Sequence, residues 1–220
     1  MHKIIEKIKL LSKNYISFEK WIVIERNLSE EMKIIPAKVS VEACAGHFDE
    51  TVEYIRKSFY KGELDSEEKK EIEAARIHSH FYPHVKYDGK IVGFQKIGSG
   101  SIYIRSIRKY VKFREDVALS YAFFVDKAYR RKGIAAHLMS FSLMRAKEMG
   151  YSYVRGQVSP GNRASIALCS RCGFYEIARF WHFRFFHWDY TTLDIGKADR
   201  NNRVSLDPSS DIETFRKEVI

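Results

Sequence analysis

The chain has 220 residues and a net charge of +10, from 38 basic and 28 acidic side chains, and is 45% hydrophobic and 14% aromatic. That supplies one domain with a substantial core and excludes a disordered chain. No apolar run approaches the roughly 20 residues of a membrane helix, and the basic residues are spread along the chain rather than gathered into a tail.

Met1 to Lys13 mixes Ile4, Ile5, Ile8, Leu10 and Leu11 with Lys3, Glu6, Lys7 and Lys9, which suits neither a signal peptide nor an acid-free transit sequence. A short amphipathic packing helix is expected, in preference to a membrane-surface anchor, in a cytoplasmic protein. Tyr15 to Arg26 reads as one or two strands, an added edge strand or hairpin, and Lys38 to Cys44 alternates as another strand. Asp49 to Phe59 repeats Val52, Ile55 and Phe59 at helical spacing with Asp49 as N-cap, and a second helix runs from Ser66 to about His78 with Glu67 and Glu68 in its first turn. Asp88-Gly89 between Val85-Lys86-Tyr87 and Ile91-Val92-Gly93-Phe94 is a type I′ hairpin signal. Gly98 to Gly100 then breaks the pattern, and the basic, aromatic stretch to Asp116 reads as an extra hairpin or a substrate-side loop.

Ala118 to Val125 is an almost unbroken apolar run of strand length, as in a strand covered on both faces. Ile134, Leu138 and Phe141 follow at helical spacing until Gly150, a C′ residue. The junction between them carries Arg130, Arg131, Lys132 and Gly133. Unpaired backbone N–H groups, the helix dipole and three full charges meet there, so a phosphate-bearing ligand is the natural guest. The small residues Gly133, Ala135 and Ala136 let backbone come close to it. Beyond lie a strand over Tyr151 to Val158, the turn Ser159-Pro160-Gly161, a helix from Asn162 to Cys172 ended by Gly173, and two closing strands in Phe174 to Tyr190. Ser210 to Glu213 is a capping box for a short terminal helix.

Arg130, Gly133 and Ala135 fit the pattern Arg/Gln-x-x-Gly-x-Gly/Ala, and Asn162 to Phe174 fits Asn-x-x-Ala/Ser-x-x-x-Tyr-x-x-x-Gly-Phe apart from its Tyr. In this order the pair resembles the acetyl-CoA loop and the following helix of the GNAT superfamily of N-acetyltransferases. The resemblance implies a mixed α/β fold whose central, largely antiparallel sheet is splayed at the acetyl-CoA site and flanked by helices, with extra N-terminal strands. It divides the chain into an extension over 1–36, an acetyltransferase domain over 37–190 and a tail over 191–220. It also implies that the backbone of Phe123, Phe124 and Val125 faces the acetyl and pantetheine groups, that Arg130 is a further cofactor-binding residue, that Arg131, Lys132, Gly133, Ile134, Ala135 and Ala136 hold the pyrophosphate, and that Asn162 meets the pantetheine arm or its bound water.

The ionisable positions depart from the pattern: Cys169 stands for the usual Tyr, and Gln157 and Leu119 stand where many members carry a carboxylate. Cys169 is then either the acid that protonates the leaving thiolate or a small buried hydrophobe. The base could be Glu115, Tyr121, Tyr175 or His182, reached through water, or the domain binds acyl-CoA without efficient turnover. The function implied is acetyl transfer from acetyl-CoA to the primary amine of a small, anionic or nucleotide-sugar acceptor, directly within a ternary complex. A regulatory acyl-CoA-binding module and a protein N-acetyltransferase are the alternatives. No membrane or nucleic-acid partner is expected, and the edge strands would permit a homodimer. Neither Cys169 with Cys172 nor His78, His80 and His84 has the partners of a metal site.

Overall fold

In a computed structural model of the chain, residues 16–60, 62–78, 80–104, 109–185 and 188–194 are described; the expected helices near residues 1–13 and 210–220 lie outside them. Among the described residues ten strands and four α-helices follow one another as β1 (Ile16–Asn27), β2 (Glu42–Cys44), α1 (Phe48–Tyr54, continued by a π-turn over Ile55–Phe59), α2 (Ser66–Ile77), β3 (His84–Tyr87), β4 (Lys90–Gly98), β5 (Ser101–Ile104), β6 (Lys109–Lys112), β7 (Val117–Val125), α3 (Ile134–Glu148), β8 (Tyr153–Val158), α4 (Arg163–Arg171), β9 (Tyr175–Phe185) and β10 (Trp188–Asp194). Eight strands form one sheet in the order β10-β9-β1-β8-β7-β4-β3-β2, and β5 with β6 makes a separate hairpin. All neighbouring pairs are antiparallel except β7 with β8.

Alternation along β7 shows how the layers sit. Ala118 joins the core formed with Met139 and Leu143 of α3, Cys169 of α4 and its C-cap Cys172, whereas Val117 and Leu119 pack under Ile102, Val111 and Phe113 of the β5–β6 hairpin. A third cluster, Ile55, Ala75, Tyr82 and Phe94, seats α1 and α2. The β3–β4 turn is the expected type I′, with φ of +48° at Asp88 and +71° at Gly89. Gly150 and Gly173 also adopt the left-handed conformation just past their helices.

Expectations are corrected at β1, β2, α1 and β7. β1 is not an edge strand: it lies between β8 and β9 and pairs with both. Trp21-Ile22-Val23-Ile24 is apolar on both faces, as an internal strand requires. The Lys38 to Cys44 strand shrinks to Glu42–Cys44, and Asp49 lies inside α1, whose N-cap is His47. The cap of α2 lies one residue before Ser66: Asp65 accepts from Glu68 N–H at 2.7 Å and Glu68 accepts from Asp65 N–H at 2.8 Å, a capping box. The second half of β7, Tyr121 to Phe124, is only half-buried, because its neighbour β8 has turned away.

Candidate active site

The site is made by that divergence. β7 and β8 pair over only four positions, Val117 with Tyr153 to Ser120 with Gly156, and beyond them the β8-facing edge of β7 has no ladder partner among the described residues. A β-bulge falls at the same point: Lys96 of β4 pairs with Ala122 and Ile97 with Ser120, so Tyr121 is the extra residue. Bulges bend a strand and re-aim a side chain, and the bulged residue here, Tyr121, lines the gap. The gap is a cleft of about 250 Å³, with Tyr121, Ala122 and Phe123 on the β7 wall and Gln157 and Val158 on the β8 wall. Asn162 and Cys169 of the α4 segment close one side, and Trp21 and Ile24 of β1 the other.

From the open end of β7 the chain passes through a 3₁₀ turn, Lys127–Tyr129, into the basic loop and α3. Arg131 and Gly133 both have positive φ, +65° and +78°. Gly133 is the N-cap of α3 and offers no side chain to the first turn, which contains no acid either. The first-turn N–H groups of a helix lack intrahelical partners, so this terminus is equipped for an anion. The loop is braced from behind by Lys38 N–H, which donates to the Lys132 carbonyl at 2.8 Å. Two of the three cations are already engaged. Arg130 Nε donates to the Val125 carbonyl at 2.9 Å, and the Lys132 ammonium lies 5.2 and 5.3 Å from the Tyr87 and Tyr129 rings. Arg131 is exposed.

The sequence-derived residues thus fall into three groups. Phe123, Tyr121, Asn162 and Cys169 meet in the cleft. Asn162 also caps α4, accepting from Ser165 N–H at 3.1 Å. Arg130, Arg131, Lys132, Gly133, Ile134, Ala135 and Ala136 form the loop and helix start, with Ile134 and Ala136 buried and Val125 packed against Ile134 and Leu138. Phe124 turns its ring to Phe59 and Phe94. The structure does not bring Glu115 to the cleft. It is exposed in the turn before β7, and Tyr121 lies four strand residues, about 13 Å, beyond the Val117 that begins the strand. Tyr175 and His182 also lie outside the lining: the Tyr175 hydroxyl donates to Glu25, itself paired with Arg155, and His182 Nδ1 shares a hydrogen with Thr191 at 2.9 Å.

Cys169 reaches the cleft, but its protonation favours the packing alternative. Burial, with Cys172 beside it, pushes its thiol up to about 12. Passing that proton to a thiolate of ordinary basicity near 8.5 would be uphill by about 5 kcal/mol. Cys169→Ala is therefore expected to keep turnover within about twofold of the parent. Burial likewise pushes Cys172 up to about 11, although the nearby charges of Arg171 and Arg26 oppose the shift. Both folded values lie above that of a free thiol, so their contribution to stability is complete below about pH 9 and is lost as pH rises through 11 to 12, at up to about 1.4 kcal/mol per pH unit for each thiol. Urea unfolding between pH 8 and 11 should show this decline, and Cys169→Ala should flatten it; an unchanged slope would show that the thiol is solvated.

The sequence did not reveal the polar cluster behind Tyr121. Tyr82 and Tyr121 hydroxyls are 2.9 Å apart, and His80 Nδ1 lies 3.4 Å from Tyr121 Oη. His80 Nε2 is 3.0 Å from the Ser99 carbonyl. Lys96, 1% exposed, pairs with Glu71, and its ammonium lies 5.7, 5.4 and 5.9 Å from the rings of Tyr60, Tyr82 and Tyr121.

Residues 48–174 match the acetyltransferase (GNAT) family. Among solved structures, a GCN5-related N-acetyltransferase from Sphaerobacter thermophilus aligns with a TM-score of 0.56 at 13% identity, over 85% of this chain and 56% of its own. A GNAT-family acetyltransferase from Colwellia psychrerythraea aligns with a TM-score of 0.53 at 13% identity, over 81% and 61%. At such identities the likeness is one of fold, and the chain spans about three-fifths of the length of these two relatives. No curated protein matches the sequence. The family match covers more than half of the chain and takes in the splayed strands, the basic loop and the following helix, and on it the chain belongs to the acetyltransferase (GNAT) family.

Proposed function

We propose that the chain is an acetyl-CoA-dependent N-acetyltransferase that moves the acetyl group to the primary amine of a small, anionic acceptor by direct attack within a ternary complex. The observation that carries this reading is the continuity of cleft and loop: the open edge of β7 leads through one 3₁₀ turn to an uncapped, acid-free helix N-terminus. A ligand with a thioester at one end and a pyrophosphate along its length needs both features, backbone donors beside the reacting carbonyl and an anion cradle farther on. In this reading the β7 edge at Phe123 binds the acyl and pantetheine part, Arg131 and the Gly133–Ala136 backbone take the pyrophosphate, and Asn162 flanks the pantetheine arm. The net charge of +10 favours an acceptor that carries phosphate or carboxylate over a polycation. The protein would work in the cytoplasm; among the described residues no helix is long and apolar enough to cross a membrane.

Thermal unfolding with acetyl-CoA, CoA, ATP or buffer alone tests this. At about 100 times its dissociation constant a ligand stabilises the fold by roughly 2.7 kcal/mol. Stabilisation by acetyl-CoA and CoA only is the expected result. Equal stabilisation by ATP, or none by any ligand, would remove the acetyltransferase reading.

A further inference from the structure

The polar cluster behind the cleft fixes its own proton order. A carbonyl oxygen can only accept, so the hydrogen between His80 and Ser99 sits on Nε2. In the neutral ring Nδ1 is then a bare acceptor, and Tyr121 is the donor that faces it. With the Tyr121 hydrogen so used, the Tyr82 hydroxyl donates to Tyr121 Oη. One lone pair of Tyr121 remains, on a residue that lines the cleft.

We propose that Tyr121 and His80 form the relay that accepts the proton of the incoming amine, Tyr121 meeting the nitrogen and His80, a positioning residue, acting through it. This rests on the acetyltransferase reading. The ammonium acceptor gives one proton to Tyr121 Oη as the Tyr121 hydrogen passes to His80 Nδ1, leaving an imidazolium and a neutral amine. The nitrogen lone pair forms the N–C bond, the C–S bond breaks with its electron pair on sulfur, and the second nitrogen proton neutralises the thiolate. The imidazolium returns its proton along the same path to solvent once product has left.

Three further features fit. Tyr121, the extra residue at the bulge of β7, is also the residue that lines the cleft and meets His80. The position of the imidazole depends on Gly98, where an added Cβ would lie 2.4 Å from two atoms of the His80 ring. His80 and Tyr121 also stand edge to face, ring centroids 6.1 Å apart. The 3.4 Å bond is long, as catalytic hydrogen bonds often are before a substrate closes the site. The groups facing His80 are Tyr121 of β7, the Ser99 carbonyl, His78 with its ring 6.3 Å away and Glu71 of α2, while the Lys96 ammonium of β4 lies over the Tyr121 ring. Burial pulls the imidazole below its ordinary value, opposed by the Ser99 bond and Glu71 and reinforced by His78, so the ring is neutral at pH 7 and able to accept.

The test is ¹⁵N NMR of the full chain, labelled at histidine, with and without acetyl-CoA at pH 7.5. The expected spectrum places His80 in the Nε2–H tautomer with Nδ1 unprotonated, and Tyr121→Phe shifts the Nδ1 resonance. Gly98→Ala is expected to displace the ring and change both signals. An Nδ1–H tautomer, a doubly protonated ring, or signals indifferent to both variants would overturn the relay. With glucosamine 6-phosphate as the amine, Tyr121→Phe should lower kcat about 100-fold without changing acetyl-CoA affinity, and an unchanged kcat would equally overturn it. Calorimetry of acetyl-CoA binding on the same wild-type sample reports on the acetyltransferase reading separately, since the donor site of that reading runs from Phe123 and Asn162 to the loop and does not include His80.

Discussion

Gly133→Glu is expected to abolish acetyl-CoA binding, raising its dissociation constant by at least about 100-fold and erasing the roughly 2.7 kcal/mol of ligand-induced stabilisation that a saturating dose gives the parent. Two causes act together. Gly133 holds φ at +78°, and a Cβ there would stand 3.2 Å from Lys38 N and 3.3 Å from Ala37 Cα, the residues that brace the loop. Backbone strain of this kind costs about 1–3 kcal/mol and displaces the loop or its brace. The larger cause is electrostatic. A carboxylate at an uncapped helix N-terminus is itself a good guest for the free N–H groups and the dipole, so it would occupy the place of the pyrophosphate and repel what it had displaced. Gly133→Ala separates the two: it carries the strain without the charge and should lose stability but keep measurable affinity. Calorimetric titration of both variants decides the matter. A Gly133→Glu protein that binds acetyl-CoA as the parent does would place the pyrophosphate away from the start of α3.

This loop was legible because its chemistry is local. A basic, glycine-containing turn between an apolar strand and an apolar helix is visible in a dozen consecutive residues, and the left-handed Gly133 is the reason a glycine stands there. The hairpin at Asp88-Gly89 and the helix ends at Gly150 and Gly173 were legible for the same reason. β1 was misplaced because strand order is a long-range property: Trp21-Ile22-Val23-Ile24 announces burial on both faces, but nothing within it names β8 and β9 as the neighbours. The cluster behind Tyr121 was invisible for a related reason. Lys96 stands in β4, where the pattern alone suggests a solvated face, and only the packing of α1 and α2 over that face buries it. His80, after the last residue of α2, had no periodicity to mark it. Glu115 failed because it stands in the turn before β7, with four strand residues between the start of β7 and Tyr121.

Breaking the buried ion pair behind the cleft should produce the largest stability loss outside the hydrophobic core. Glu71→Ala leaves the Lys96 ammonium, 1% exposed, without its carboxylate, and removing one partner of a buried pair costs about 3–5 kcal/mol. The three tyrosine rings around the ammonium offset part of this, since a desolvated cation over an aromatic face is worth about 2 kcal/mol, so the lower end of the range is expected. Urea unfolding measures it. A loss below about 1 kcal/mol would show that water reaches the pair and that it behaves as a surface contact. Adding Lys96→Met should restore most of the stability, because an unbranched apolar chain fills the same channel and no charge is left to desolvate. Stability and chemistry then part company. The double variant keeps the fold but loses the cation that sits over Tyr82 and Tyr121, so the hydroxyl chain leading to His80 is no longer held in a positive field. A protein as stable as the parent but slower in acetyl transfer would mean that the pair is kept for the orientation and protonation of Tyr121, at a cost in stability that an apolar pair would not incur.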